Sequence, residues 1–446
     1  MSLPAGSTTE RRGELLQVLG VTFGIAVAIG AMIGVGILRA PSQIARDVPQ
    51  PALILALWAI ALVHAALEAN VILELATAMP RAGGPYVYVH RAFGDIGGLA
   101  VGWTLWAQRV SSTAALSIAF AEFAAQLWPV LAAATPAIAV GLQLAMFGLN
   151  IAGVREGRAI QEVTSSVKAL ALLGFCAAAY LVASPHGAAP PRIGAIVGWS
   201  AIIVAYQAIV GAYSGWYEPA FFSEETPNPA RNLPRVIAIG LLLTAVLYIG
   251  INAALLHALS PAEIARYPLP FAAALGSSGK FAVGAVAIFA MVSAASCANA
   301  GIMSAPRVLL ALSRDGLLPA FFRNVNDGGS PAMATVFTAA AAIIVALTGS
   351  FALAFGLIAT LQSASFVLVI SSLFVLRRRE PELSRPFRAM AYPWAPLFVL
   401  AIDLVLLGLF LNANRLGGFY AVLFWLLAVP FAILARRARR AGASGA

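Results

Sequence analysis

Long apolar stretches recur from one end of this chain to the other. Residues 52–78, for example, hold only His64, Glu68 and Glu74 as ionisable groups. An α-helix crosses a bilayer with about 20 apolar residues. Of 446 residues, 10% are charged and 61% hydrophobic, with a mean hydropathy of +0.88. A soluble domain is about a quarter charged, so this chain has too little polar surface to cover a soluble fold. The fold class is therefore an all-α polytopic membrane protein.

About twelve spans fit the pattern, near residues 15–39, 52–78, 97–128, 133–152, 160–183, 195–223, 233–257, 280–312, 332–350, 352–376, 394–412 and 417–435. Prolines mark many of the expected edges, among them Pro41, Pro80, Pro136, Pro185, Pro234 and Pro331. An even number of spans puts both termini on one side. Twenty of the 28 Lys and Arg residues fall in loops and tails on that side, and six on the other. Basic loops favour the cytoplasm, so both termini are expected there, in a cell (inner) membrane.

The polar first 14 residues lead directly into a full-length span, so no cleavable signal is expected. Cys176 and Cys297 both lie in apolar runs, which argues against a disulfide framework or a thiolate metal site. The net charge of +10 follows membrane topology rather than a nucleic-acid surface. There is no GxxxxGK[ST] loop, no HExxH and no catalytic constellation. No enzyme activity, metal or cofactor is expected, and any chemistry must happen inside the helix bundle.

The first span places Gly30, Gly34 and Gly36 at its own middle, in GAMIGVGIL. Glycine costs a helix interior roughly 1 kcal/mol relative to alanine. Two readings follow. Gly30 and Gly34 have the spacing that lets helices pack closely. Alternatively the helix is interrupted, which frees amide donors at half-helix ends, suited to a carboxylate. The sixth span contains GAYSGWYEP, residues 211–219. The frame Gly-Ala-x-x-Gly thus occurs at 30–34 and again at 211–215, five spans later. Many transporters are two five-helix halves of inverted topology whose first helices break at the substrate site.

Five segments carry a family resemblance. They are IGVGIL (33–38), PRAGGPYVYVHRAFG (80–94), RVSSTAALSIAFAEF (109–123), AYSGWYEPAFFSEETPNPARNLPR (212–235) and PRVLLALSRDGLLP (306–319). The chain resembles the amino acid–polyamine–organocation superfamily, and most its L-type amino acid transporter branch. The resemblance implies a LeuT-type 5+5 inverted repeat with two added helices. Residues 15–183 would form the first repeat and 195–376 the second, with spans 11–12 at 394–435 and tails at 1–14 and 436–446. It also implies amino acid transport. The substrate carboxylate would sit on amides of Ile33, Gly34, Val35 and Gly36. The amino group would sit on carbonyls of Gly211, Ala212 and Ser214, with Tyr213, Gly215 and Trp216 around the site. Amides suit an anion and carbonyls an ammonium on chemical grounds alone. Three positions depart from the branch: Gly211 replaces an aromatic lid, Tyr217 an asparagine and Val110 a proline. Either Tyr206, Tyr213 or Trp216 substitutes for that lid, or the pocket takes a larger side chain.

Several polar residues lie within spans. Lys168 is one of two lysines in an arginine-rich chain. A buried lysine can lose its proton where arginine cannot. The resemblance places it against broken span 1, in gating or proton coupling; the alternative is snorkelling to the interface. Ser293 and Ser296 stand where sodium-coupled relatives hold an ion, and a Lys168 ammonium in that place disfavours sodium. His64 and Glu68 share a helix face, as a proton-carrying pair or a mutually satisfied contact. Arg109 reads as a structural partner for carbonyls or a carboxylate. Glu218 reads as a counter-charge for a cationic substrate or as a helix cap. Glu224 and Glu225 are expected to pair with Arg231 and Arg235 in a cytoplasmic gate.

These observations predict a secondary transporter of L-amino acids, neutral ones first, working by alternating access as an exchanger or a proton-linked carrier. A carrier for cationic amino acids or polyamines, with Glu218 or Glu68 as counter-charge, is the alternative, followed by a channel or an amino acid sensor. The expected partners are the small-molecule substrate and the lipid bilayer, without a heavy-chain subunit.

Overall fold

The computed structural model describes residues 15–182, 197–267, 269–275, 279–347 and 358–413, with residues 425, 426, 430 and 433. All regular structure among them is helical. The first pair is α1 (Val21–Met32) and α2 (Val35–Asp47). Then come α3 (Pro51–Ala78), α4 (Pro85–Leu127), α5 (Thr135–Ala152) and α6 (Val154–Val182). The second part holds α7 (Trp199–Tyr213), α8 (Pro229–Ala258), and short α9 (Pro261–Arg266) and α10 (Pro270–Ala274). The described helices end with α11 (Gly279–Arg314), α12 (Ala332–Leu347), α13 (Ile358–Arg379) and α14 (Trp394–Ala413).

Six helical stretches are long and apolar enough to cross a membrane, and the bent pair α1–α2 makes a seventh. Shorter apolar helices cover Ala332–Leu347 and Trp394–Leu409. Expected spans 2 to 5, 7 and 8 coincide with helices; span 12 lies almost wholly outside the described residues. The outward faces are apolar: Val163, Leu170 and Leu173 on α6 are exposed, as are Leu242 and Val246 on α8. Such bands would be unstable in water and suit lipid.

Two expectations need correction. Span 1 does not run from 15 to 39. Residues 15–20 are non-helical, held by the Leu19 N–H on the Glu225 carbonyl at 3.1 Å. The broken helix then runs on to Asp47. Pro41 and Pro234 do not mark edges but sit inside α2 and α8. Each lies in the second turn, where one missing backbone bond interrupts the ladder without ending it.

One large core joins the bundle. The longest seam is α4 against α11. Helix α1 sits among α6, α8 and α11, while α2 packs on α7 and α9. Ionic contacts tie the loops at the end of the bundle that carries Leu19. Arg307 clamps Glu225 there with its two guanidinium nitrogens, the longer contact being 2.6 Å. Arg314 meets Glu224 at 2.8 Å. The expected pairing of Glu224 and Glu225 with Arg231 and Arg235 is therefore replaced by partners from α11. The four residues are close in sequence, but α8 leads its arginines away while the end of α11 returns to the loop.

A second cluster at this end is titratable. Asp315 accepts from Arg81 and from the Tyr86 hydroxyl, both at 2.9 Å, and lies 3.4 Å from His90 Nδ1. His90 Nε2 is 3.0 Å from Asp95. Burial alone would raise the Asp315 carboxyl, but bonds from His90 and Arg81 outweigh it and hold it well below the carboxylate range. Burial likewise opposes the His90 charge, but bonds to Asp315 and Asp95 leave its pKa raised. A raised histidine stabilises the fold below its ordinary value of 6.5 and loses that effect as pH rises through the higher folded value. A depressed aspartate stabilises above its ordinary 3.8 and loses the effect on acidification. Thermal stability of the purified protein should therefore fall as pH rises above about 6.5, and His90→Gln should flatten that fall. An identical slope in the variant would refute the assignment.

Candidate functional site

The first break is a two-residue gap. The Ile33 N–H closes α1 on the Ile29 carbonyl, and the Gly34 N–H folds back on the Met32 carbonyl, each at 2.8 Å. Two of the four expected donors are thus engaged. Val35 and Gly36 open the first turn of α2, where amides have no intrahelical acceptor and the dipole is positive. Gly36 is exposed, whereas Val35 is buried.

Carbonyls at the break need donors, and three neighbouring side chains supply them. Lys168 Nζ lies 2.7 Å from both the Gly30 and Ile33 oxygens. Ser293 Oγ donates to Ile33 at 2.7 Å and Cys297 Sγ to Gly30 at 2.8 Å. Lys168 is fully buried, so it does not snorkel; its ammonium caps the broken helix. Ser296 stands one shell back, accepting from Thr164 at 2.9 Å and lying 3.4 Å from Gln161. Gly30 itself is a packing position. A methyl group there would overlap Gln161 Nε2 at 1.9 Å and Ser165 Oγ at 2.5 Å.

The second break follows α7 directly. The chain turns through Ser214–Tyr217 into a 3₁₀ segment, Glu218–Glu225. Gly215 takes a φ of +112°, and a Cβ there would lie 2.9 Å from the Ala31 carbonyl carbon. The two breaks therefore touch, backbone to backbone. Gly36 faces Ala212 in the same seam, with its Cβ position 3.6 Å from the Ala212 Cα. The Tyr248 hydroxyl from α8 spans both breaks, 2.7 Å from the Met32 oxygen and 3.0 Å from the Ala212 oxygen. Sequence reasoning missed Tyr248, because nothing local marks one tyrosine in a uniformly apolar run.

On the other side of the second break is a cavity of about 70 Å³. Gly211, Tyr213, Ser214, Trp216, Gln362 and the α3 residues His64 and Glu68 line it. A Cβ on Gly211 would meet nothing within 4 Å. The candidate lid aromatics have other contacts. Tyr213 packs on Trp58 and Tyr248, Trp216 on Tyr217 and Phe366, and Tyr206 on His64. Ser214 Oγ is held by Gln362 at 2.8 Å.

Glu218 is matched by a protein cation. Arg109 meets it at 2.5 Å, donates to Ser304 and Leu105, and lies over the Phe221 ring at 3.8 Å. The expected structural role of Arg109 and the carboxylate of Glu218 are thus one buried contact. His64 finds a partner the sequence did not suggest, Asp403 of α14, at 3.1 Å.

The chemistry of the seam is bipolar. One wall offers backbone amides at a positive helix end. Across the seam the Ala212 carbonyl accepts from the Tyr248 hydroxyl at 3.0 Å and the Gly211 carbonyl from the Ser214 N–H at 3.3 Å.

Comparison with known proteins places residues 19–433 in a match to the model of the amino acid permease family. The b(0,+)-type amino acid transporter 1 of Rattus norvegicus is 27% identical over 441 residues, spanning 96% of this chain and 90% of that protein. The serine/threonine exchanger SteT of Bacillus subtilis is 26% identical, spanning 95% of this chain and 97% of that one. The branched-chain amino acid permease BcaP of the same organism is 27% identical over 90% of both chains.

The caps are testable without a ligand. Tyr248→Phe removes the single hydroxyl proton shared between the Met32 and Ala212 carbonyls, of which Met32 keeps the Gly34 N–H, and should lower unfolding free energy by about 1–3 kcal/mol. Lys168→Met should cost more, since its ammonium serves two carbonyls directly. Thermal unfolding of the detergent-purified protein measures both. Variants as stable as the parent would show that the carbonyls do not depend on these side chains.

Proposed function

The chain belongs to the amino acid permease family, and on that premise we propose that it carries L-amino acids, neutral ones first, by alternating access at the paired breaks. The single observation that carries this reading is the abutment of the breaks, Gly215 against Ala31 and Gly36 against Ala212. The substrate carboxylate takes the amides of Val35 and Gly36, and the α-amino group takes the carbonyls at the end of α7, those of Gly211, Ala212 and Ser214. Residues 15–183 and 195–376 act as the two inverted halves of a twelve-span LeuT-type bundle, with 394–435 appended. Both termini face the cytoplasm of the cell membrane, in keeping with the basic loops.

At Glu218 the charges suit a neutral substrate. Arg109 already matches Glu218, which removes the main reason to expect that carboxylate to hold a cation. The names of two relatives, a serine/threonine exchanger and a branched-chain permease, point the same way. Exchange is favoured over sodium coupling because Lys168 fills the place between α1 and α11 where an ion would sit.

Proteoliposomes preloaded with a labelled neutral L-amino acid test the reading. External unlabelled substrate should drive saturable efflux, without a sodium gradient. Failure of all twenty amino acids to drive efflux would overturn it. Filling the open space at Gly211 should narrow the site. Gly211→Phe is expected to reduce exchange of leucine and phenylalanine at least tenfold while sparing alanine and serine. Equal loss across all four would show that Gly211 does not border the side-chain pocket.

A further inference from the structure

Three ionisable side chains meet beside the second break, and the transport reading does not use them. His64 and Glu68 lie one turn apart on one face of α3. Asp403, the sole acidic residue of α14, reaches the same point from across the helix pair. One ligand atom from each residue lies within 4.8 Å of the others. His64 and Asp403 are only 3% and 4% exposed.

The cluster is incompletely satisfied. His64 Nε2 contacts Asp403 Oδ1, but Asp403 Oδ2 is buried with no hydrogen-bond partner. Glu68 and Trp216 both line the same cavity. All three residues line the cavity of about 70 Å³, several times the ~10–15 Å³ needed for one water. An orphaned carboxylate oxygen at this depth is costly. What is missing is positive charge inside the cavity.

We propose that His64, Glu68 and Asp403 form a binding site for a divalent first-row transition-metal ion, with Zn²⁺ as the type case. Two carboxylates and a neutral imidazole carry a formal charge of −2, which one divalent ion neutralises. Imidazole nitrogen and carboxylate oxygen are both zinc ligands, and three protein ligands leave a fourth position for water in the cavity. Imidazole selects against Mg²⁺ and Ca²⁺, which prefer oxygen alone. Bond lengths of about 2.0–2.2 Å put tetrahedral ligand atoms roughly 3.3–3.6 Å apart, and His64 Nε2 and Asp403 Oδ1, at 3.1 Å, already bring α3 and α14 close enough to share an ion.

The proposal is independent of which amino acid is carried and is tested without transport. Full-length protein in nanodiscs is titrated with ZnCl₂ by calorimetry, and with CoCl₂ by absorption. One equivalent should bind. Cobalt should give visible d–d bands without the near-ultraviolet thiolate band that ligation by Cys297 would produce. His64→Gln and Asp403→Asn should each weaken Zn²⁺ binding at least 30-fold, with folding checked by thermal melts. His90→Gln, which alters the separate His–Asp cluster, should leave binding unchanged. Three results would overturn the proposal: no stoichiometric Zn²⁺ binding by the wild type, a thiolate band with cobalt, or unchanged affinity in both folded cavity variants. Stabilisation by lysine or arginine, but not by metal, that depends on Asp403 would likewise overturn it and make the cluster a substrate subsite.

Discussion

The architecture depends on one arrangement: a broken membrane helix whose carbonyls are capped by side chains from two others. Breaking a helix in a bilayer exposes polar backbone that lipid cannot satisfy. Here Lys168 from α6, with Ser293 and Cys297 from α11, covers the Gly30 and Ile33 oxygens. That leaves the amide side of the break, Val35 and Gly36, available for an anion. The cap engages the Gly30 and Ile33 acceptors, while the Val35 and Gly36 donors have no intrahelical acceptor.

The second break repeats the logic with opposite sign. The chain after α7 offers carbonyls, and Tyr248 ties the Ala212 carbonyl to Met32 across the seam. The two half-sites share a backbone contact at Gly215 and Ala31, so one cannot shift without the other. Clamps at the Leu19 end, Arg307 on Glu225 and Arg314 on Glu224, close the loop that follows the second break. Opening that end requires these contacts to separate. This is where alternating access would place its energetic barrier.

Much of this was legible in the sequence because it is written in composition and local spacing. Apolar length located most of the helices. The repeated Gly-Ala-x-x-Gly frame located both breaks, and the lone lysine of span 5 marked the cap. What escaped depends on contacts between distant spans. Asp403 lies 339 positions from His64, and Tyr248 lies 216 from Met32. Nothing near either residue announces its partner. The start of span 1 was misplaced because Leu15–Gly20 is as apolar as the helix it precedes. Its end was misplaced because α2 is amphipathic, burying Ile37, Leu38 and Ile44 while exposing Gln43 and Arg46. Hydropathy alone stops at the first polar residues of such a helix.

The central claim is that backbone alone reads both ends of a zwitterion. The most direct measurement is calorimetric binding of one transported amino acid beside two analogues, its carboxamide and its deaminated acid. Each analogue keeps the side chain and removes one charge. The account predicts that both bind at least 100-fold more weakly than the parent, because each leaves one half-site without its charged partner. An analogue that binds as well as the parent would contradict the assignment of that half-site.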